Sequence, residues 1–89
     1  MPIEKIRGAL KRRQDKEKAK VLRRFFKTGI GEYAEGDLFL GVTVPVLRKL
    51  AKQFKDIELK SAVKLLRSAI HEERLLALLI LILKYRNSN

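Results

Sequence analysis

Residues 36–50 read GDLFLGVTVPVLRKL. Two glycines bracket a short apolar plug, Leu38-Phe39-Leu40, and Pro45 follows shortly after. Proline lacks an N–H and fixes φ, so Pro45 suits the first position of a helix, where no intrahelical hydrogen bond is lost. Thr43 or Val44 is then the N-cap, and Thr is the better chemical cap. From there Val46, Leu47, Leu50, Ala51 and Phe54 recur at helical spacing, with Arg48, Lys52 and Lys55 opposite them. The stretch reads as a structural corner that launches a basic helix, predicted to end near Phe54 or Lys55. The plug could form a brief strand, but tucking under neighbouring helices is the expected outcome.

Upstream, TGIGEYAEGD (28–37) breaks all periodicity. Gly29, Gly31 and Gly36 permit positive φ, and the acids with Thr28 suit turns. Before it, residues 15–27 predict a helix burying Leu22, Phe25, Phe26 and Val21, with Lys16, Lys20, Arg23 and Lys27 on its outer side. Residues 3–12 place Ile3, Ile6, Ala9 and Leu10 on one face of a short first helix. Downstream, residues 58–67 repeat the pattern with Leu59, Ala62, Val63 and Leu66 inside and Lys60, Lys64 and Arg67 outside. A last helix is expected from the HEER segment to about Arg86, with Glu72 and Glu73 in the first turn, where the helix dipole favours acids.

That last helix is apolar on every side over LLALLILIL (75–83), and such a helix needs neighbours all round. Four short helices do not obviously supply them. Self-association through Leu75, Leu76, Leu78, Leu79, Ile80, Leu81, Ile82 and Leu83 is therefore expected, or a chain that continues past Asn89. The nine-residue run is about half what a membrane span needs. The segments VLRRFFK (21–27) and VLRKLAK (46–52) resemble each other. Together these features predict an all-α fold of about five helices, stacked as antiparallel pairs like HEAT repeats. Residues 1–89 form one helical domain, expected to be the N-terminal fragment of a longer array.

The chain has 21 Lys and Arg against 10 Asp and Glu, a net charge of +11. The charge is segregated. Residues 1–27 carry eleven bases and three acids, net +8; residues 28–43 carry three acids and no base; residues 44–67 carry seven bases and two acids, net +5. A strong basic excess bears on partners rather than on fold. There is no cysteine and one histidine, which excludes disulfides and makes a structural zinc site implausible. No cofactor, metal or membrane is expected, and a cytoplasmic location is the default.

The run FFKTGIGEYAEGDLFLGVTVPVLRKLAK (25–52), with LLRSAIHEERLLALLILILKY (65–85), resembles the DNA alkylation repair enzymes. These are HEAT-like-repeat DNA glycosylases that release alkylated purines. The resemblance covers about residues 5–86 and maps onto the N-terminal part of the family's array. It implies duplex DNA as partner. The family's catalytic aspartate and lesion-flanking tryptophans lie in later repeats, and this chain has no Trp, so no catalytic residue carries over. The residue before the proline and the arginine three after it approach DNA in the family. They correspond to Val44 and Arg48 here. Val44 lacks a hydroxyl, which neighbouring Thr43 could supply; Lys52 and Lys55 extend the basic stripe.

Other signals are weaker. The glycine-rich corner lacks the Gly-Lys-Ser/Thr of a phosphate-binding loop, and its acids would repel nucleotide. His71 at a helix start, with no nucleophile beside it, reads as structural, and Arg74 could pair with a neighbouring helix. Tyr33 is expected to pin the corner, since two scattered tyrosines make no stacking platform. A non-enzymatic module binding RNA or acidic proteins is the alternative. A helix-turn-helix repressor ranks below both, because the ten-residue corner exceeds that motif's turn of about three to four residues.

Overall fold

The computed structural model describes residues 3–26 and 36–86. Within them lie α1 (Ile3–Arg12), α2 (Lys16–Phe26), α3 (Val44–Gln53), α4 (Leu59–Leu66) and α5 (His71–Arg86). The described residues hold no strand, only an isolated bridge between Leu38 and Ile70. The fold is all-α, as the periodicity predicts, with five helices packed as a helical-repeat array. Its centre is α5, which packs most extensively on α3 and α4 and more lightly on α1. Most of the corner segment 28–37, Tyr33 included, lies outside the described residues.

The core follows the apolar stripes. Ile6, Ala9 and Leu10 from α1, Leu47, Leu50 and Ala51 from α3, and Leu76, Ala77 and Ile80 from α5 are all buried in one cluster. Phe54 and Ile57, in the turn after α3, join them. Thr43 is the N-cap of α3, in extended conformation, although its side chain makes no capping hydrogen bond. Burying each large aliphatic or aromatic side chain contributes roughly 1.5–3 kcal/mol, so this cluster fixes the packing.

Three stripes differ from expectation. In α2, Ala19 is the buried residue, whereas Val21 and Phe25 are 65% and 75% exposed and Leu22 and Phe26 are half-buried. The cause is where α2 touches the rest of the chain. Its first turn abuts the backbone at Gly41, which turns Ala19 inward and leaves the Val21–Phe25 flank outside. In α4, Leu65 is fully buried and Leu59 is 54% exposed, because Ala62 and Leu65 supply the buried face. In α5 the neighbours enclose one side alone. Leu76 and Ile80 are fully buried, so they cannot belong to an association surface; Leu78 and Ile82 are 49% and 54% exposed.

What joins these parts is the plug. Glu72, fully buried, accepts hydrogen bonds from three consecutive backbone N–H groups: Leu40 to Oε1 at 2.9 Å, and Gly41 and Val42 to Oε2 at 2.8 and 3.2 Å. A buried carboxylate is tolerable only when so compensated, and the three N–H groups equally need an acceptor. Glu72 therefore does more than complement a helix dipole; it grips the strand of chain that leads into α3. The plug is held on two further sides. Leu38 donates to Ala69 O (3.0 Å) and accepts from the His71 N–H (2.8 Å), and Leu40 O accepts from the Asp15 N–H (2.8 Å). Asp15 in turn caps α2 by accepting from the Glu17 and Lys18 N–H groups through Oδ1.

Gly41 makes the close approach possible. Its φ is +84°, and a Cβ there would collide with Asp15 O and sit 2.9 Å from Ala19 N. Side-chain pairs brace the same region. Arg7 Nε donates to the buried Glu73 (3.1 Å), tying α1 to α5. Arg74 donates to Asp37 Oδ2 (2.9 Å) and to Ser68 O (2.8 Å), so its partner is the corner rather than a helix.

Two substitutions test this junction by thermal unfolding. Glu72→Gln keeps the shape but turns a donor toward N–H donors; losing about 2 kcal/mol should lower Tm by roughly 10 °C. Gly41→Ala costs about 1–2 kcal/mol in backbone conformation alone, and the overlap with Asp15 adds to that. A Tm unchanged in both variants would contradict the junction.

Candidate nucleic-acid interface

The basic side of α3 leads to a groove. Arg48 and Lys52, one turn apart, line a cavity of about 440 Å³ between α3 and α5, together with Ala51, Leu79, Ile82, Leu83 and Arg86. The floor is apolar and the polar lining is cationic. Arg48, Lys52 and Arg86 are exposed, and none has an ion-pair partner among the described residues. By contrast Lys20 and Lys60 on the other two basic stripes each lie beside a glutamate, Glu17 at 3.8 Å and Glu58 at 3.3 Å.

The five residues expected to meet DNA do not form one patch. Arg48 and Lys52 share the groove. Lys55 lies past the end of α3, exposed and outside the groove lining. Thr43 and Val44 sit at the other end of α3 and line a different, apolar cavity of about 650 Å³ with Val21, Leu22, Phe26 and Leu75. Lys27 lies outside the described residues. Arg86 was not anticipated as a site residue, yet its signal is in the sequence. Leu79, Ile82, Leu83 and Arg86 are spaced i, i+3, i+4 and i+7, so the arginine shares a face with the apolar groove residues.

His71 sits in an aromatic cluster. Its ring packs against both Phe26 (centroids 5.1 Å apart) and Phe39 (4.7 Å), and the two phenyl rings stack directly on each other at 5.4 Å, so the three form a triangular cluster. The cluster joins the end of α2 to the plug and the start of α5. Burial lowers the His71 pKa below 6.5; Glu72 and Asp37 raise it and Arg74 lowers it. Among the described residues no group of His, Asp and Glu could hold a metal ion, and no helix is long and apolar enough to cross a membrane.

The His71 shift has a defined sign. As pH falls through 6.5 the unfolded chain takes up the proton before the folded one. Stability from this group is thus complete above that pH and declines as pH drops toward the lower folded-state value. Denaturant titrations between about pH 7.5 and pH 5.5 should show that decline in the wild type and a shallower one in His71→Phe. Equal slopes would rule the histidine out as its source.

Comparison with known proteins adds one finding. The family described as DNA alkylation repair enzyme matches residues 6–89. No curated protein and no solved structure matches the chain. The match begins within the first helix and takes in the Gly41 corner, the Pro45-led helix and the Glu72 junction. On that extent of agreement, the chain belongs to the DNA alkylation repair enzyme family.

Proposed function

We propose that this chain is the DNA-holding N-terminal part of an alkylation-repair glycosylase that releases alkylated purines, and that it contributes no catalytic group. The observation that carries the DNA-holding role is the α3–α5 groove, lined by exposed Arg48 and Lys52 with no ion-pair partner among the described residues. Lys55 lies further along the same chain direction, and Thr43 and Val44 would approach DNA at the start of α3. Cations so placed neutralise backbone phosphates and release condensed counter-ions.

The carboxylates support the absence of chemistry. An alkylated purine is already a good leaving group, and its release needs a carboxylate aimed at the developing sugar cation. Among the described residues the sheltered acids are all engaged. Glu72 holds the plug, Glu73 holds Arg7, Asp37 holds Arg74 and Asp15 caps α2. Glu4 and Asp56 are exposed.

Anisotropy titrations of a labelled duplex against salt test the proposal. Log K should fall linearly with log salt, by about 0.9 per phosphate contacted, and Arg48→Ala should weaken binding equally across duplex sequences. No base should leave alkylated duplex in the presence of this chain. An unchanged affinity on Arg48→Ala would contradict the assigned surface, and detectable base release would contradict the non-catalytic role. Tighter binding to an acidic protein than to duplex at the same salt would replace DNA as the partner.

The exposed pair Leu78 and Ile82 supports a second property, self-association through the outer side of α5. Two copies meeting there would bring Arg48, Lys52 and Arg86 together, so association should be weak and should strengthen as salt screens the repulsion. Sedimentation at rising salt should show a growing dimer fraction. A monomer at every salt concentration would contradict it.

A further inference from the structure

We infer, resting on the DNA reading above, that the α3–α5 groove seats the phosphodiester backbone of one strand and that Arg86 is its third phosphate-binding cation. The groove has two walls. Arg48 and Lys52 come from α3, and Arg86 comes from the last turn of α5. Between them Ala51, Leu79, Ile82 and Leu83 make a floor with no acid and no hydrogen-bonding side chain. Three exposed cations with no ion-pair partner among the described residues gather like charge around an apolar floor, and like charges repel. An anion lying between the walls relieves that repulsion.

The shape selects which anion. A cavity of about 440 Å³ exceeds what a single inorganic phosphate fills, and its cations stand on both walls. A phosphodiester strand presents successive charges along its length, with the carbon faces of its sugars between them for the apolar floor. A second copy of this chain would set like charges against each other. The walls of the groove are helices that pack against each other in the core, where Leu47, Leu50, Leu76 and Ile80 are buried in one cluster.

Position alone offers another account of Arg86. A cation in the last turn complements the negative end of the helix. That role would appear in stability and not in DNA binding, which makes the two separable. The experiment is the salt dependence of duplex binding by wild type, Arg86→Ala, Arg86→Lys, Arg48→Ala and Lys5→Ala, with helicity and Tm measured for each. Lys5 is exposed on α1, outside the groove, and controls for the loss of one charge. Arg86→Ala should reduce the log–log slope by about 0.9 and weaken binding about eightfold at 0.1 M salt, the counter-ion factor for one phosphate. Arg86→Lys should restore the slope, and Lys5→Ala should leave it unchanged. If Arg48→Ala lowers the slope and Arg86→Ala does not, the role of Arg86 is overturned and the DNA reading stands. If neither lowers it, the DNA reading itself fails. If Lys5→Ala lowers it equally, overall charge rather than the groove binds DNA, and the inference is overturned.

Discussion

Everything in this fold that bears on a partner depends on one buried carboxylate. Glu72 takes the N–H groups of Leu40, Gly41 and Val42 in succession, and by doing so ties the entry of α3 to the first turn of α5. The two helices then pack along their lengths, and the space left between their outer edges is the cationic groove. The hydrophobic core alone could let α3 slide or rotate against α5, since apolar contact is not directional. Three hydrogen bonds to one side chain, with Gly41 pressed against Asp15, leave no such freedom.

Much of this was legible in residues. Pro45 placed the start of α3 almost to the residue, and of the stripe Val46, Leu47, Leu50, Ala51 and Phe54 all but the half-buried Val46 are buried. The apolar pattern sufficed for five helices because four of them carry an apolar stripe at helical spacing, the fifth is one long apolar run, and strand-like alternation is scarce. What periodicity could not show was how much of each stripe is used. Phe25 and Leu59 sit at helical positions identical in kind to Phe26 and Leu65, yet exposure separates them. That depends on where the helix touches its neighbour, and for α2 the touch is a tertiary fact set by Gly41.

The polar residues show the same limit in sharper form. Glu72 and Glu73 satisfy a helix dipole on sequence grounds, and nothing local says that both are buried. Their partners lie about thirty and about sixty-six residues away in the chain, at Leu40–Val42 and Arg7. Gly41 looked like the end of a plug, whereas it is the position where a side chain has no room. Arg48 and Lys52 were found from charge and family likeness together. Arg86 escaped because it closes a helix whose apolar run draws attention, although its spacing from Leu79 puts it on the groove side. Membership of the DNA alkylation repair enzyme family gives the groove a context, and Asp15, Asp37, Glu72 and Glu73 are each engaged in contacts that hold the fold together.

The central claim is that the grip of Glu72 on the plug is as durable as the fold itself. Native-state hydrogen exchange at the Gly41 and Val42 amides measures that directly. If the claim holds, both amides exchange only through global unfolding, with the same free energy as the core amides of α3. Exchange of those two amides by local opening, while α3 and α5 stay protected, would contradict it.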